Sequence, residues 1–217
     1  WGSYPWPYEM WFIRRCYEGA NAWKIEKLVA NRPVSDPSLT KEGYLPQNLE
    51  KEQERLLKAQ KENERAHCRV IGLTLETRPD WINAEKMQRM RLLGATRIEL
   101  GVQHTDDKIQ KLTRRGHKLE EVKKATRLLR NAGFKVDYHL MPQLPGSTPK
   151  KDLAMFKKVF TDSDLCPDMI KIYPCAVIPQ TELWEWWKQG KFTPYPDQDL
   201  MEMLIKVKSR IIPPYCR

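Results

Sequence analysis

Apolar and polar positions along this chain follow two periods that take turns. From Arg69 to Glu76 (RVIGLTLE) the apolar residues crowd a run short enough for a buried strand, closed by the turn Thr77-Arg78-Pro79-Asp80. Asn83 then stands where a helix cap belongs. The helix it predicts runs to Leu93, turns Met87, Met90 and Leu93 to the core, and stops at Gly94. Residues 96–102 predict the next strand. Residues 118–132 predict a helix with Leu119, Val122, Leu128 and Leu129 inward and Gly133 just past its end. Phe134, Val136, Tyr138 and Leu140 alternate as a strand does. Helices over 151–160, 181–188 and 197–210 and a strand over 169–173 complete this half.

The preceding part reads differently. Residues 8–21 predict a helix with Phe12, Ile13, Cys16, Tyr17 and Ala20 on or near one face. Residues 31–47 are irregular, holding Pro33, Pro37, Gly43 and Pro46. Residues 48–67 predict a strongly charged helix whose apolar positions are Leu49, Leu56, Leu57 and Ala59. Its Glu–Arg and Glu–Lys pairs suit a largely solvated surface, and contact of its basic side with a phosphate backbone is the alternative. Repeated strand–helix alternation implies parallel strands with right-handed crossovers, hence an α/β fold, barrel-like or open.

Composition narrows the class. With 217 residues the chain can bury one sizeable core or form part of a larger barrel. No apolar run approaches membrane-spanning length, so a cytoplasmic protein without membrane contact is expected. The formal net charge of +10 points to a polyanionic partner, nucleic acid before membrane, with a merely solvated basic surface as the plain alternative. The five cysteines form no CxxC cluster and are odd in number, which argues for reduced, buried thiols and against a disulfide framework, and leaves no metal site in this chain. The chain opens on Trp1 rather than Met and stops at Arg217 without a tail, as a piece of a longer protein would.

Four polar residues fall at or beside predicted strand ends: Glu76, Gln103 and His139, with Arg115 entering from a loop. Ligands bind at the carboxyl ends of parallel strands. A carboxylate suits an ammonium, a guanidinium suits a carboxylate, and an amide suits sugar hydroxyls, so the set fits a zwitterionic or ribose-bearing ligand. Each has a structural alternative: His139 as a satisfied core histidine, Arg115 paired with Asp106 or Asp107, Glu76 bracing the Arg78 turn. Gly146, in LPGST, permits close backbone approach to a ligand. The basic turn from Lys111 to Lys118 offers Lys111, Arg114 and Lys118 to phosphates, or else complements a helix dipole.

The stretches GLTLETRPD (72–80), TRIELGVQ (96–103), RGH (115–117), GFKV (133–136) and HLMPQLP (139–145) together resemble the catalytic-subunit family of Elongator. KIYP (171–174), the 183–191 region and IPP (212–214) match as well. That family joins a radical S-adenosylmethionine domain to an acetyltransferase domain and modifies tRNA. The resemblance implies a partial (β/α) barrel of radical S-adenosylmethionine type, incomplete at its N-terminal side. Residues 1–190 would be the C-terminal part of that barrel, with a charged insertion at 31–67. Residues 191–217 would be its last helix and the start of a linker.

The resemblance further implies S-adenosylmethionine at Glu76, Gln103, Arg115 and His139, and a four-iron four-sulfur cluster whose cysteines lie upstream of Trp1. Reductive cleavage would give a 5′-deoxyadenosyl radical. Acetyl-CoA would supply the acetyl unit that becomes the carboxymethyl precursor at carbon 5 of the tRNA wobble uridine. The implied partners are tRNA and other Elongator subunits or a second copy. The acetyltransferase domain belongs beyond Arg217, so this chain is expected to be inactive alone. The alternatives are a radical enzyme of the coproporphyrinogen-oxidase type, which shares the Gly-Val-Gln, Arg and Leu-Pro elements, and a non-catalytic, basic tRNA-binding scaffold.

Overall fold

A computed structural model describes residues 4–23 and 48–216, so the irregular stretch 31–47 lies outside the described residues. The chain divides into two compact units, Trp1–Leu73 with Gln88–Thr96, and Thr74–Met87 with Arg97–Arg217.

The first unit is built on two helices, α1 (Trp6–Ala22) and α2 (Leu49–Asn63). Pro7 sits in the first turn of α1, where its missing N–H costs nothing. Asn48 caps α2 by accepting from the Lys51 N–H at 2.9 Å. α1 buries Met10, Ile13 and Tyr17, while Phe12 and Cys16 are exposed, so the expected face is rotated. The rotation has a charged cause. Arg14 is buried and donates to Glu52 of α2 at 2.5 Å and to Glu18. α2 is therefore not simply solvated: Glu52, Leu56, Ala59 and Asn63 form a buried stripe, and Leu49 and Leu57 are left outside. Asn63 takes the Val70 N–H at 2.7 Å and donates to the Cys68 carbonyl, which holds 68–70 as loop. The strand expected over 69–76 is consequently shorter, and Ile71 is 94% exposed. Gly94 has φ +86°, and a Cβ there would stand 2.5 Å from the Tyr17 hydroxyl. A Gly94→Ala variant should lose about 1–3 kcal/mol to backbone strain and more to the clash, read as a lower denaturation midpoint.

The second unit holds a four-stranded parallel sheet in the order β1 (Thr74–Thr77), β2 (Arg97–Gln103), β3 (Lys135–Leu140) and β4 (Met169–Ile172). The sheet is not closed, as a partial barrel requires. The helices run α3 (Ala84–Leu92, capped by Asn83), α4 (Asp107–Leu112), α5 (Leu119–Asn131), α6 (Pro149–Thr161), α7 (Glu182–Lys188) and α8 (Asp197–Arg210). α3 crosses from the second unit into the first.

The sheet's two faces have opposite chemistry. Ile98, Leu100, Val102, Val136, Tyr138 and Leu140 occupy one face and are all fully buried. The Tyr138 hydroxyl bonds Thr126 of α5, which fixes this face as the helix-covered one. In α5 Thr126 is wholly buried and Leu128 only partly, the reverse of what an apolar stripe predicts. The opposite face carries Glu76, Arg97, Glu99, Gly101, Asp137, His139 and Lys171, whose positions follow from the two-residue period and the strand register.

A buried polar knot fastens α6. Asp152, wholly buried, accepts from His104 Nε2 at 3.2 Å, the Ser147 hydroxyl at 2.5 Å, the Gln143 N–H at 2.8 Å and the Tyr195 hydroxyl at 2.8 Å. His104 Nδ1 accepts the Asp106 N–H, so Nε2 carries the ring proton and donates. Gly146, at φ +84° with Leu112 3.1 Å from its would-be Cβ, serves the turn into α6. The cysteines are free, as expected, but Cys16 and Cys68 are exposed and Cys216 alone is buried. None of the described helices is long and apolar enough to cross a membrane.

Candidate active site

The site forms where β2 ends. The β2–β3 register shifts between Leu100 and Gln103, a bulge that leaves Gln103 at φ 66°. Positive φ is uncommon for a glutamine and points to a constrained position. It is held there: the Met141 N–H donates to the Gln103 carbonyl at 2.8 Å, and the side chain is 7% exposed.

α4 supplies the second half. Asp106 caps it through the Lys108 N–H, and Asp107 accepts the Leu119 N–H, so neither carboxylate is spent on Arg115. Buried Gln110 donates from Nε2 to the Val102 and His104 carbonyls at 2.6 Å each, tying α4 to the strand end. The Arg115 N–H donates to the Gln110 carbonyl, and the turn closes through Arg114 at φ 53° and Gly116 at φ 77°. Arg115 thereby reaches back over β2, donating from Nη2 to the Gly101 carbonyl at 3.3 Å. Glycine at 101 leaves room for both side chains: a Cβ would lie 3.0 Å from Arg115 Nη2 and 3.1 Å from Gln103 Nε2 and would push them aside. Arg115 Nε is buried with no hydrogen-bond partner. Burial and neighbouring Arg78 pull the guanidinium below its ordinary pKa, and Glu76 and Asp80 only partly offset them. An incoming carboxylate would relieve both deficits.

Glu76 and His139 meet in a second cluster. His139 lies 3.2 Å from Glu76 through Nδ1 and 3.0 Å from Glu99 through Nε2. Lys171 pairs with Glu99 at 2.5 Å. Burial pushes the Glu99 carboxyl up, but Lys171 and His139 outweigh it and hold the group below its usual range. Asp137, level with Glu99 on β3, is wholly buried with both oxygens unpartnered; burial and the Glu99 charge raise its pKa. Glu76, Glu99 and His139 each bring a ligand atom within 4.8 Å of the others, and Lys171 already offsets the charge of Glu99.

The four expected residues thus form two adjoining pairs, Gln103 with Arg115 and Glu76 with His139. Their levels differ, since Glu76 is in register with Glu99 and not with Gln103. Arg78 pairs with Asp80 rather than with Glu76. Sequence reading missed Glu99, Asp137 and Lys171. The two-residue spacings Asp137–His139 and Glu99–Gly101 were the available signal.

Above the Gln103–Arg115 pair lies a cleft of about 270 Å³, walled by Leu112, Met141, Leu144 and Trp186. The basic turn borders it. Lys111, Arg114 and Lys118 are exposed, and Arg114 makes a bidentate pair with Glu182 of α7 at 2.8 and 2.9 Å.

Residues 42–159 match the profile of the radical SAM superfamily, and 167–217 match that of the radical SAM C-terminal domain. A tRNA uridine(34) acetyltransferase of Methanocaldococcus infernus is 43% identical over 97% of this chain and 34% of its own. One from Dehalococcoides mccartyi is 50% identical over 71% of this chain and 34% of its own. The chain therefore spans about a third of the length of these relatives. Among solved structures, archaeal Elp3 of Methanocaldococcus infernus superposes with a TM-score of 0.81 and 40% identity, covering 100% of this chain and 44% of that one. A profile covering more than half the chain, on an open parallel sheet, places it: the chain belongs to the radical SAM superfamily.

Proposed function

We propose that this chain is the barrel portion of a cytoplasmic enzyme that modifies carbon 5 of the tRNA wobble uridine, with acetyl-CoA as the acetyl donor. The observation that carries the reading is the Gln103–Arg115 pair around Gly101, in a chain 43% and 50% identical to proteins named tRNA uridine(34) acetyltransferase. The residues present fit S-adenosylmethionine. The orphaned Arg115 Nε and its neighbouring Nη2 offer a fork for a carboxylate, exposed Glu76 a partner for the ammonium, and the Gln103 amide a partner for sugar hydroxyls. His139, held between Glu76 and Glu99, would orient the Glu76 carboxylate at the cofactor site. Among the described residues no cysteine joins a metal-ligating group, so none of them is given to the cluster in this reading. When bound, the cofactor and cluster supply the carbon-radical chemistry that breaks an unactivated C–H bond. Other Elongator subunits or a second copy of the chain complete the assembly.

The tRNA would meet the turn at Lys111, Arg114 and Lys118. The exposed Arg114–Glu182 pair is no obstacle, because such pairs contribute only about 0–1 kcal/mol and yield to a phosphate. Replacing Arg114 and Lys118 by Gln in the full-length protein should weaken tRNA binding and flatten its log–log salt slope by about two. Glu182→Gln should tighten binding by freeing Arg114. Filter binding across a salt series reads both, and salt-independent or absent binding by the parent protein would overturn the tRNA reading. A coproporphyrinogen-oxidase type of activity lacks a use for this basic turn.

A further inference from the structure

α7 carries Trp184, Trp186 and Trp187 within a single helix, yet no residue of it is buried. Tryptophan is normally highly buried; here Trp187 is exposed and Trp184 and Trp186 are half-buried, and indoles left together within reach of solvent mark an interaction site. Their placement is ordered. Leu183 and Trp186 line the cleft above Gln103 and Arg115. Trp184 and Trp187, one turn apart, form a stacked pair with ring centroids 4.9 Å apart and planes 29° apart, and Trp187 is 44% exposed. Thr181 caps the helix through the Trp184 N–H, and Arg114 is joined to Glu182 at the same end.

We infer that α7 is a stacking platform for unpaired RNA bases, with Trp184 and Trp187 its outer face and Trp186 its inner one. The inference rests on the tRNA reading above and names the element that meets the unpaired part of the RNA. Three observations select this occupant. Flat indole faces accept any base by stacking, whatever its identity. Arg114 shares the cleft with Trp186, so a cation for phosphate and an aromatic surface for a base stand side by side. The whole chain carries +10, which favours a polyanionic partner over a neutral one.

The test uses full-length protein with two RNA probes, a hairpin bearing an unpaired loop and a blunt duplex of equal length. The hairpin should quench tryptophan fluorescence. Trp184→Ala with Trp187→Ala should weaken hairpin binding about fivefold or more while leaving duplex binding and the salt slope unchanged. Trp187→Phe alone should retain most of the affinity, and an unchanged melting temperature shows that the double variant is folded. If the parent binds the hairpin in a salt-dependent way and the double variant binds it equally, the platform is wrong and the tRNA reading stands. Equal loss on hairpin and duplex also overturns the platform, as does a changed oligomeric state, which would assign the indoles to a second copy. If the parent binds neither RNA, both readings fall.

Discussion

Asp152→Ala should lower the unfolding free energy by about 3–5 kcal/mol, the range seen when one member of a buried charged network is removed. The carboxylate is wholly buried and accepts four hydrogen bonds, so truncation strands the donors of buried His104 and Gln143 and frees those of half-buried Ser147 and Tyr195. Asp152→Asn should be nearly as harmful. Each oxygen takes two donors, so an amide NH₂ in place of one oxygen sets two donors against it. Acid dependence gives a second readout. Burial alone would push the Asp152 carboxyl up, but bonds from His104, Ser147, the Gln143 N–H and Tyr195 outweigh it and hold the pKa low. A depressed folded pKa contributes stability that is present above the ordinary carboxylate pKa of about 3.9 and is lost as pH falls through the folded value. Urea midpoints measured downward from pH 5 should therefore fall more steeply for the parent than for Asp152→Asn. Parallel curves would dismiss the network as a stabilising element.

Arg115→Ala in the full-length protein should weaken S-adenosylmethionine binding roughly a hundredfold, the equivalent of about 3 kcal/mol for a charged hydrogen-bonded contact. Arg115→Lys should recover little, because an ammonium cannot reproduce a two-pronged grip on a carboxylate. Gly101→Val tests the same geometry without deleting either side chain, since its Cβ would press on Arg115 Nη2 at 3.0 Å and Gln103 Nε2 at 3.1 Å. Equilibrium dialysis with labelled cofactor reads all three variants. Unchanged affinity in Arg115→Ala would remove the guanidinium from the cofactor site.

Much of this architecture was legible in the periodicity, and the exceptions share a cause. The helix at 197–210 and the strand alternation of Phe134, Val136, Tyr138 and Leu140 appear as read, because neighbours in sequence decide them. The strand expected from Arg69 is cut back to Thr74 because Asn63 claims the Val70 N–H, a contact no local pattern announces. The buried stripe of α2 was partly hidden for the same reason, since Glu52 is buried against Arg14, 38 residues earlier. Among the candidate site residues, Gln103 and Arg115 were singled out by their place at a strand end and in the loop beside it, and the bulge that aims Gln103 left no mark in the sequence. Glu99, Asp137 and Lys171 were passed over because a charged residue in a strand reads as solvent-facing, whereas here it faces the polar side of the sheet.

The sheet's unequal faces have a consequence for how such an enzyme can change. One side is a hydrocarbon lattice in which Ile98, Leu100, Tyr138 and Leu140 have no room to vary, so drift there is punished as lost folding. The other side contributes little apolar burial, and its residues constrain one another chiefly through charge. Neutral drift can therefore re-letter that surface in compensated pairs, Glu99 with Lys171 for example, while the scaffold stays above its stability threshold. One backbone can thus be inherited intact by enzymes that act on unrelated molecules.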